Sequence, residues 1–169
     1  MHDCCSTPDI STPSNQSVCP RDGSKGKPVK LITLKSLLQP IALEQLDPQQ
    51  PYFFCAHTDC PMVYFSELGQ EFTTADVKVS VFQKDQRDAV PVCYCFDWSR
   101  QRIQEEIERE GKSRAIASIT AHIKAKRCGC EVNNPQGFCC LTNVRSVIQA
   151  VTQPLTSIDR RIFESILNR

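Results

Sequence analysis

The sequence carries no excess of charge of either sign: 20 Lys and Arg against 19 Asp and Glu leave a net charge of +1. Without a basic excess it lacks the electrostatic footprint of a nucleic-acid binder, and no nucleic-acid partner is expected. No run of about 18 apolar residues occurs, so no membrane span is expected. The opening Met1-His2-Asp3-Cys4-Cys5 has neither a basic region nor an apolar run, and does not read as an export signal. There is no nucleotide-binding loop and no Ser/His/Asp arrangement, and Glu105 and Glu106 read as helix surface. Hydrolytic and group-transfer chemistry are therefore not expected; at most the chain is a metal reductase or electron carrier.

What the sequence has in abundance is cysteine, 11 in 169 residues. A disulfide framework calls for an oxidising compartment and usually an even count. Here the count is odd, Cys4-Cys5 and Cys139-Cys140 are adjacent, and Cys93/Cys95 and Cys128/Cys130 are one residue apart. Bridges within such couples are strained, because the preferred Cα separation of roughly 5.5 Å is hard to reach. Thiolate ligation has no such difficulty, since a metal fills the space between the sulfurs. Metal binding in a reducing cytoplasm is the expectation.

Residues 1–18 are rich in Ser, Thr, Pro, Asn and Gln and read as a flexible tail, in which Cys4 and Cys5 are a possible extra site for a soft ion such as Cu(I). Residues 19–88 read as a small zinc-knuckle β subdomain. Cys19-Pro20-Arg21-Asp22-Gly23 resembles a knuckle turn with Asp in place of a second Cys. Strands are expected at Val29–Leu34, Tyr52–Cys55, Met62–Phe65, Glu71–Thr74 and Val77–Phe82, and helical turns, cut by Pro40, at Lys35–Leu46. The connection after Tyr52–Cys55 carries a C-x4-C pair, Cys55 and Cys60. With Cys19 these give three thiolates, and Asp22, or alternatively His57, completes a four-coordinate structural zinc site. Gln83–Ala89 is polar, lacks an apolar face and reads as a linker.

Residues 89–153 read as a helical subdomain built to hold a 2Fe–2S cluster. Six of the cysteines fall in two islands, Val92–Cys95 and Cys128–Cys140. Between them, Asp97-Trp98-Ser99 offers an N-cap for a helix over Arg100–Glu110, which Gly111 ends. Ser113 caps a second helix reaching Lys126. A spacer of about 32–34 residues suffices for an antiparallel helix pair at 1.5 Å rise per residue, and returns Cys128/Cys130 to the starting end. Cys139-Cys140 precede a third helix, capped by Thr142 or Asn143 and stopped by Pro154, whose positive end suits an anionic cluster. Residues 154–169 read as a tail helix on the spacing of Ile158, Ile162 and Ile166. The fold class is α+β: a small zinc-bearing antiparallel β subdomain followed by a helical 2Fe–2S subdomain.

Cys93-Tyr94-Cys95, the helical spacer and the Cys128-Gly129-Cys130…Cys139-Cys140 run, together with the Cys19 turn and Tyr52–Phe65, resemble the amino-terminal domain of CopZ-type copper chaperones across roughly residues 19–150. The resemblance implies a zinc-bearing β portion and a 2Fe–2S portion similar to bacterioferritin-associated ferredoxin. It implies Cys93, Cys95, Cys130 and Cys140 as cluster ligands, with Cys128 and Cys139 as alternatives. Two departures stand out. The M-x-C-x-x-C motif of the family's copper domain is absent, Met1 and Met62 being the only methionines, and Asp22 stands where a fourth thiolate is expected. The expected function is a redox or electron-transfer module in copper or other metal homeostasis, with a copper-transport or redox protein as partner. The alternatives are a non-redox metal sensor or store, and a zinc-ribbon interaction module.

Overall fold

A computed structural model describes residues 17–153. The chain begins with a turn bridged by Val18 and Lys25, then forms strand β1, Lys27–Val29. Helix α1, Leu31–Leu37, and the short helix α2, Pro40–Glu44, follow. Strands β2 (Tyr52–Phe54), β3 (Met62–Ser66) and β4 (Glu71–Thr73) complete an antiparallel sheet in the order β1-β2-β3-β4. Phe53 faces Phe65 and Phe54 faces Tyr64 across the β2–β3 register. Neither side of β2 or β3 is open to solvent: every residue of both strands is buried. One face carries Phe54, Tyr64, Leu34 and Leu38. The other carries Phe53 and Phe65 with Cys19, Cys55 and Cys60.

Two sequence expectations are overturned here. Val29–Leu34 is not a strand, because Leu31, Leu34 and Leu38 recur at helical spacing and α1 buries Leu34, Leu37 and Leu38 against the sheet. The β-branched Ile32 and Thr33 sit within that helix, where packing overrides their preference for strand. Val77–Phe82 is not a strand either. Val77 makes one isolated bridge to Leu38, Lys78 N–H donates to Leu37 at 2.8 Å, and a turn closes on Val81. Its valines are anchored by burial without a partner strand. Gly26, just before β1, is required by close approach: a Cβ there would lie 2.5 Å from the ring of Phe65.

The second half starts with a tight two-stranded hairpin, β5 (Pro91–Cys93) and β6 (Trp98–Ser99). Helix α3, Arg100–Glu110, is capped by the Ser99 hydroxyl, which accepts from Arg102 N–H, and ends at Gly111 in the left-handed region (φ 72°). Helix α4, Ala115–Lys124, follows. After the short α5 (Cys130–Asn133) comes α6, Leu141–Thr152, which begins one residue before the expected caps because Cys140 occupies the N-cap position. Ile103, Ala115, Ile119 and Val144 pack with Val92 and Trp98 into a core shared by α3, α4, α6 and the hairpin. The fold is thus α+β, with an antiparallel sheet followed by helices. The two parts touch: Tyr64 O–H donates to the Pro135 carbonyl at 2.7 Å, and Lys30 pairs with Glu131 at 2.7 Å. The expected tail helix over residues 154–169 lies outside the described residues, as does the expected tail up to residue 16.

Glu106, read from the sequence as surface, is buried. It fastens the α3–α4 corner by accepting from the Ser113 hydroxyl (2.9 Å), the Arg114 backbone N–H (2.8 Å) and the Arg114 guanidinium (2.9 Å). Burial works to raise its pKa, but these hydrogen bonds outweigh burial and hold it below the ordinary glutamate value. Glu106→Gln is expected to cost about 1–3 kcal/mol at neutral pH by denaturant unfolding. A depressed carboxylate stabilises the fold fully above the ordinary value of about 4.3 and ceases to do so as pH falls through its folded value. The gap between wild type and E106Q should therefore close on acidification.

Candidate metal centres

The first centre lies under the β2–β3 connection. The turn after Cys19 is closed by Gly23 N–H donating to the Cys19 carbonyl at 3.0 Å, with Gly23 at φ 72°. The turn brings Asp22 over the sulfur of Cys55, whose thiol donates to Asp22 Oδ2 at 3.1 Å. Cys55 directly follows β2, and Cys60 directly precedes the loop into β3, so the sheet register fixes both. The Sγ atoms of Cys19 and Cys60 are 4.0 Å apart, and one donor atom from each of Cys19, Asp22, Cys55 and Cys60 lies within 4.8 Å of all the others. A tetrahedral zinc with bonds of about 2.3 Å to sulfur spaces its thiolates by about 3.8 Å, so this donor set fits the ion. The side chain of His57, the alternative fourth ligand, is exposed and outside this group.

The electrostatics suit a cation. Burial and the neighbouring Asp22 carboxylate raise the Cys55 pKa, and the same causes push Cys60 up to about 12. Burial would raise Asp22 in turn, but hydrogen bonds from Cys60, Ser24 and Cys55 outweigh it and hold the carboxyl well below the usual range. Without an ion the thiol protons compensate the Asp22 carboxylate; a divalent ion would displace them. Lys84 Nζ adds a donor, 3.4 Å from Cys55 Sγ and 2.5 Å from the His57 carbonyl. Lys84 belongs to the stretch expected to be a linker, and nothing in its local pattern signals this contact.

The second centre joins three segments. Cys93 ends β5, and Cys95 lies in the hairpin turn, where Asp97 takes the left-handed conformation (φ 51°). Cys128 and Cys130 flank Gly129 at the return of the α3–α4 arm, and Cys140 caps α6. The Cys95 and Cys130 sulfurs are 3.9 Å apart and those of Cys128 and Cys130 3.1 Å apart. Cys95, Cys128 and Cys130 all lie within 4.8 Å of one another. Cys93 and Cys140 lie in one buried cluster, with Cys95 packed against it. The Cys140 thiol is the foremost cause lowering the pKa of Cys130 and Cys93, and these two neighbours in turn raise that of Cys140. Burial raises Cys95 and pushes Cys128 up to about 12. Cys139 is exposed and turns away from this group, contributing only its carbonyl, which accepts from Gln136 at 2.9 Å. All nine cysteines among the described residues are free thiols. Cys4 and Cys5 lie outside the described residues.

Several side chains that shape this centre were not legible as functional. Buried Asn134 and Gln136 hold the loop before Cys140 by donating to the carbonyls of Phe138 and Cys139. Gln83 and Asn143 in turn both donate to Gln136 Oε1. Tyr94, between the two cysteines of the hairpin, donates to the Ser80 carbonyl at 2.7 Å and accepts from Phe82 N–H at 2.8 Å. The sequence signal for these roles is slight: polar residues on either side of Pro135, and one aromatic between two cysteines.

Residues 16–78 match the model of a zinc-binding domain of the CopZ type, which spans the whole of the first centre. The chain is also similar to the copper chaperone CopZ of Archaeoglobus fulgidus, with 36% identity over 89 residues, 53% of this chain and 42% of that protein. It thus matches less than half the length of that relative. The structure resembles the X-ray structure of the Archaeoglobus fulgidus CopZ N-terminal domain with a TM-score of 0.65 and 28% identity, covering 78% of this chain and 97% of that one. Among the described residues no helix is long and apolar enough to cross a membrane.

Tyr94→Phe should test how the hairpin is held. It removes both hydrogen bonds to residues 80–82 while keeping the ring. A loss of about 1–2 kcal/mol in unfolding free energy is expected.

Proposed function

We propose that the chain is a zinc- and iron–sulfur-binding module that exchanges single electrons in the handling of copper or another metal. What supports this reading is the convergence of five free cysteine thiols, from a hairpin turn, a returning helical arm and a helix N-terminus, beside a separate three-cysteine, one-aspartate set. Cys19, Asp22, Cys55 and Cys60 would hold the zinc, tying the loops around β1 and β2 together in place of a larger core. Cys93, Cys95, Cys130 and Cys140 would hold a 2Fe–2S cluster, which when bound supplies one-electron exchange. Their fit rests on sulfur chemistry: three buried thiols and a partly exposed one, none of them in a disulfide. The N-terminal end of α6 directs its positive dipole at Cys140 and favours negative charge there. Cys95 and Cys128 are partly exposed and leave that side of the centre open to a partner.

The similarity to a copper chaperone suggests the partner: a copper-transport or redox protein in the cytoplasm. Cys4-Cys5 would add a site for Cu(I). On this reading residues 19–88 and 89–153 are two metal-bearing subdomains.

Anaerobically purified protein is expected to contain about two irons and two labile sulfides per chain, with about one zinc. It should show visible absorption and, after reduction, an EPR signal. Zinc in both centres, with no sulfide, overturns the redox reading. Cys93→Ser should bleach the visible absorption while the zinc content stays, and Asp22→Ala should lower zinc affinity at least tenfold without bleaching. Voltammetry separates an electron carrier, with a reversible wave, from a sensor or store whose cluster is lost on reduction.

A further inference from the structure

The second centre presents five thiols, one more than a four-coordinate thiolate set uses. Cys93 and Cys140 are the inner pair, each 1% exposed and both in one apolar cluster. Cys95, Cys128 and Cys130 form the outer trio. Two thiolates on one tetrahedral metal with bonds of about 2.3 Å stand about 3.8 Å apart. Cys95 and Cys130, at 3.9 Å, meet that spacing. Cys128 and Cys130, at 3.1 Å, are too close to bind one metal side by side, yet each reaches Cys95. They are thus competitors for a single position, one from the buried side and one from the solvent side. The residue between them is Gly129, where a Cβ would meet the side-chain Nδ2 of Asn133 at 3.1 Å, a close contact that a small shift of that exposed side chain relieves.

We propose that Cys128 is an exchange ligand that takes over the coordination position of Cys130 from the solvent side while the other three cysteines stay in place. The exchange is balanced. One metal–sulfur bond breaks at Cys130 and one forms at Cys128, and the proton leaving the Cys128 thiol passes to the Cys130 thiolate across the 3.1 Å contact. No electron is transferred and the net charge is unchanged. Such a pair lets the centre open a coordination position toward solvent without releasing what it holds.

This inference rests on the iron–sulfur reading above, and iron and sulfide in the wild type test that reading by itself. Given a loaded wild type, Cys128→Ser should leave iron and spectrum unchanged. Cys130→Ser should keep at least half of the iron, with a shifted visible and EPR spectrum. The double variant should fall to less than about a tenth of the wild-type iron. If C130S empties the centre as completely as the double variant, or if C128S alone empties it, the proposal is wrong. Should C130S lose its helical circular dichroism, slow alkylation of the loaded wild type decides. Exchange places one label per chain on either Cys128 or Cys130, never both, with iron retained. Label confined to one of the two overturns it.

Discussion

Sulfur brings distant parts of this chain together at both centres. Cys19 meets Cys60 across 41 positions of sequence and Cys95 meets Cys130 across 35. The elements that carry these cysteines are small, with strands of two to five residues in both sheets. Such strands bury little surface by themselves. Sheet register, turn geometry and helix ends therefore converge on the sulfur sets, and two of the apolar clusters contain them. Phe53, Phe65 and Met62 enclose the first set, and Val92, Trp98 and Val144 sit against the second.

How far the sequence reveals this depends on length and period. Helices α3, α4 and α6 are long enough for apolar spacing and capping residues to specify them, and Ser99 and Gly111 mark the ends of α3. Strands β2 and β3 are aromatic and bounded by turns. Helix α1 is harder to recognise because seven residues hold only two turns, and Ile32 and Thr33 imitate a strand. The valines at 77, 79 and 81 alternate as a strand does, but no neighbouring strand is left to pair with them.

At the sites, adjacent and near-adjacent cysteines are visible in the sequence because disulfide geometry disfavours pairing within such couples. The structure adds which sulfurs share a space: Cys128 joins the second set and Cys139 does not. The polar scaffold around them was not legible. Gln136, Asn134 and Glu106 act through burial, and burial of a single polar residue leaves no periodic trace.

The segment from Ser80 to Arg87 has a part in both sets. Tyr94 holds it at Ser80 and Phe82, the Arg100 guanidinium donates to the carbonyls of Phe82, Asp85 and Arg87, and Lys84 reaches Cys55 and the His57 carbonyl. One backbone path satisfies all these grips together. The strap therefore ties the loop of the first set to the hairpin of the second through one run of backbone.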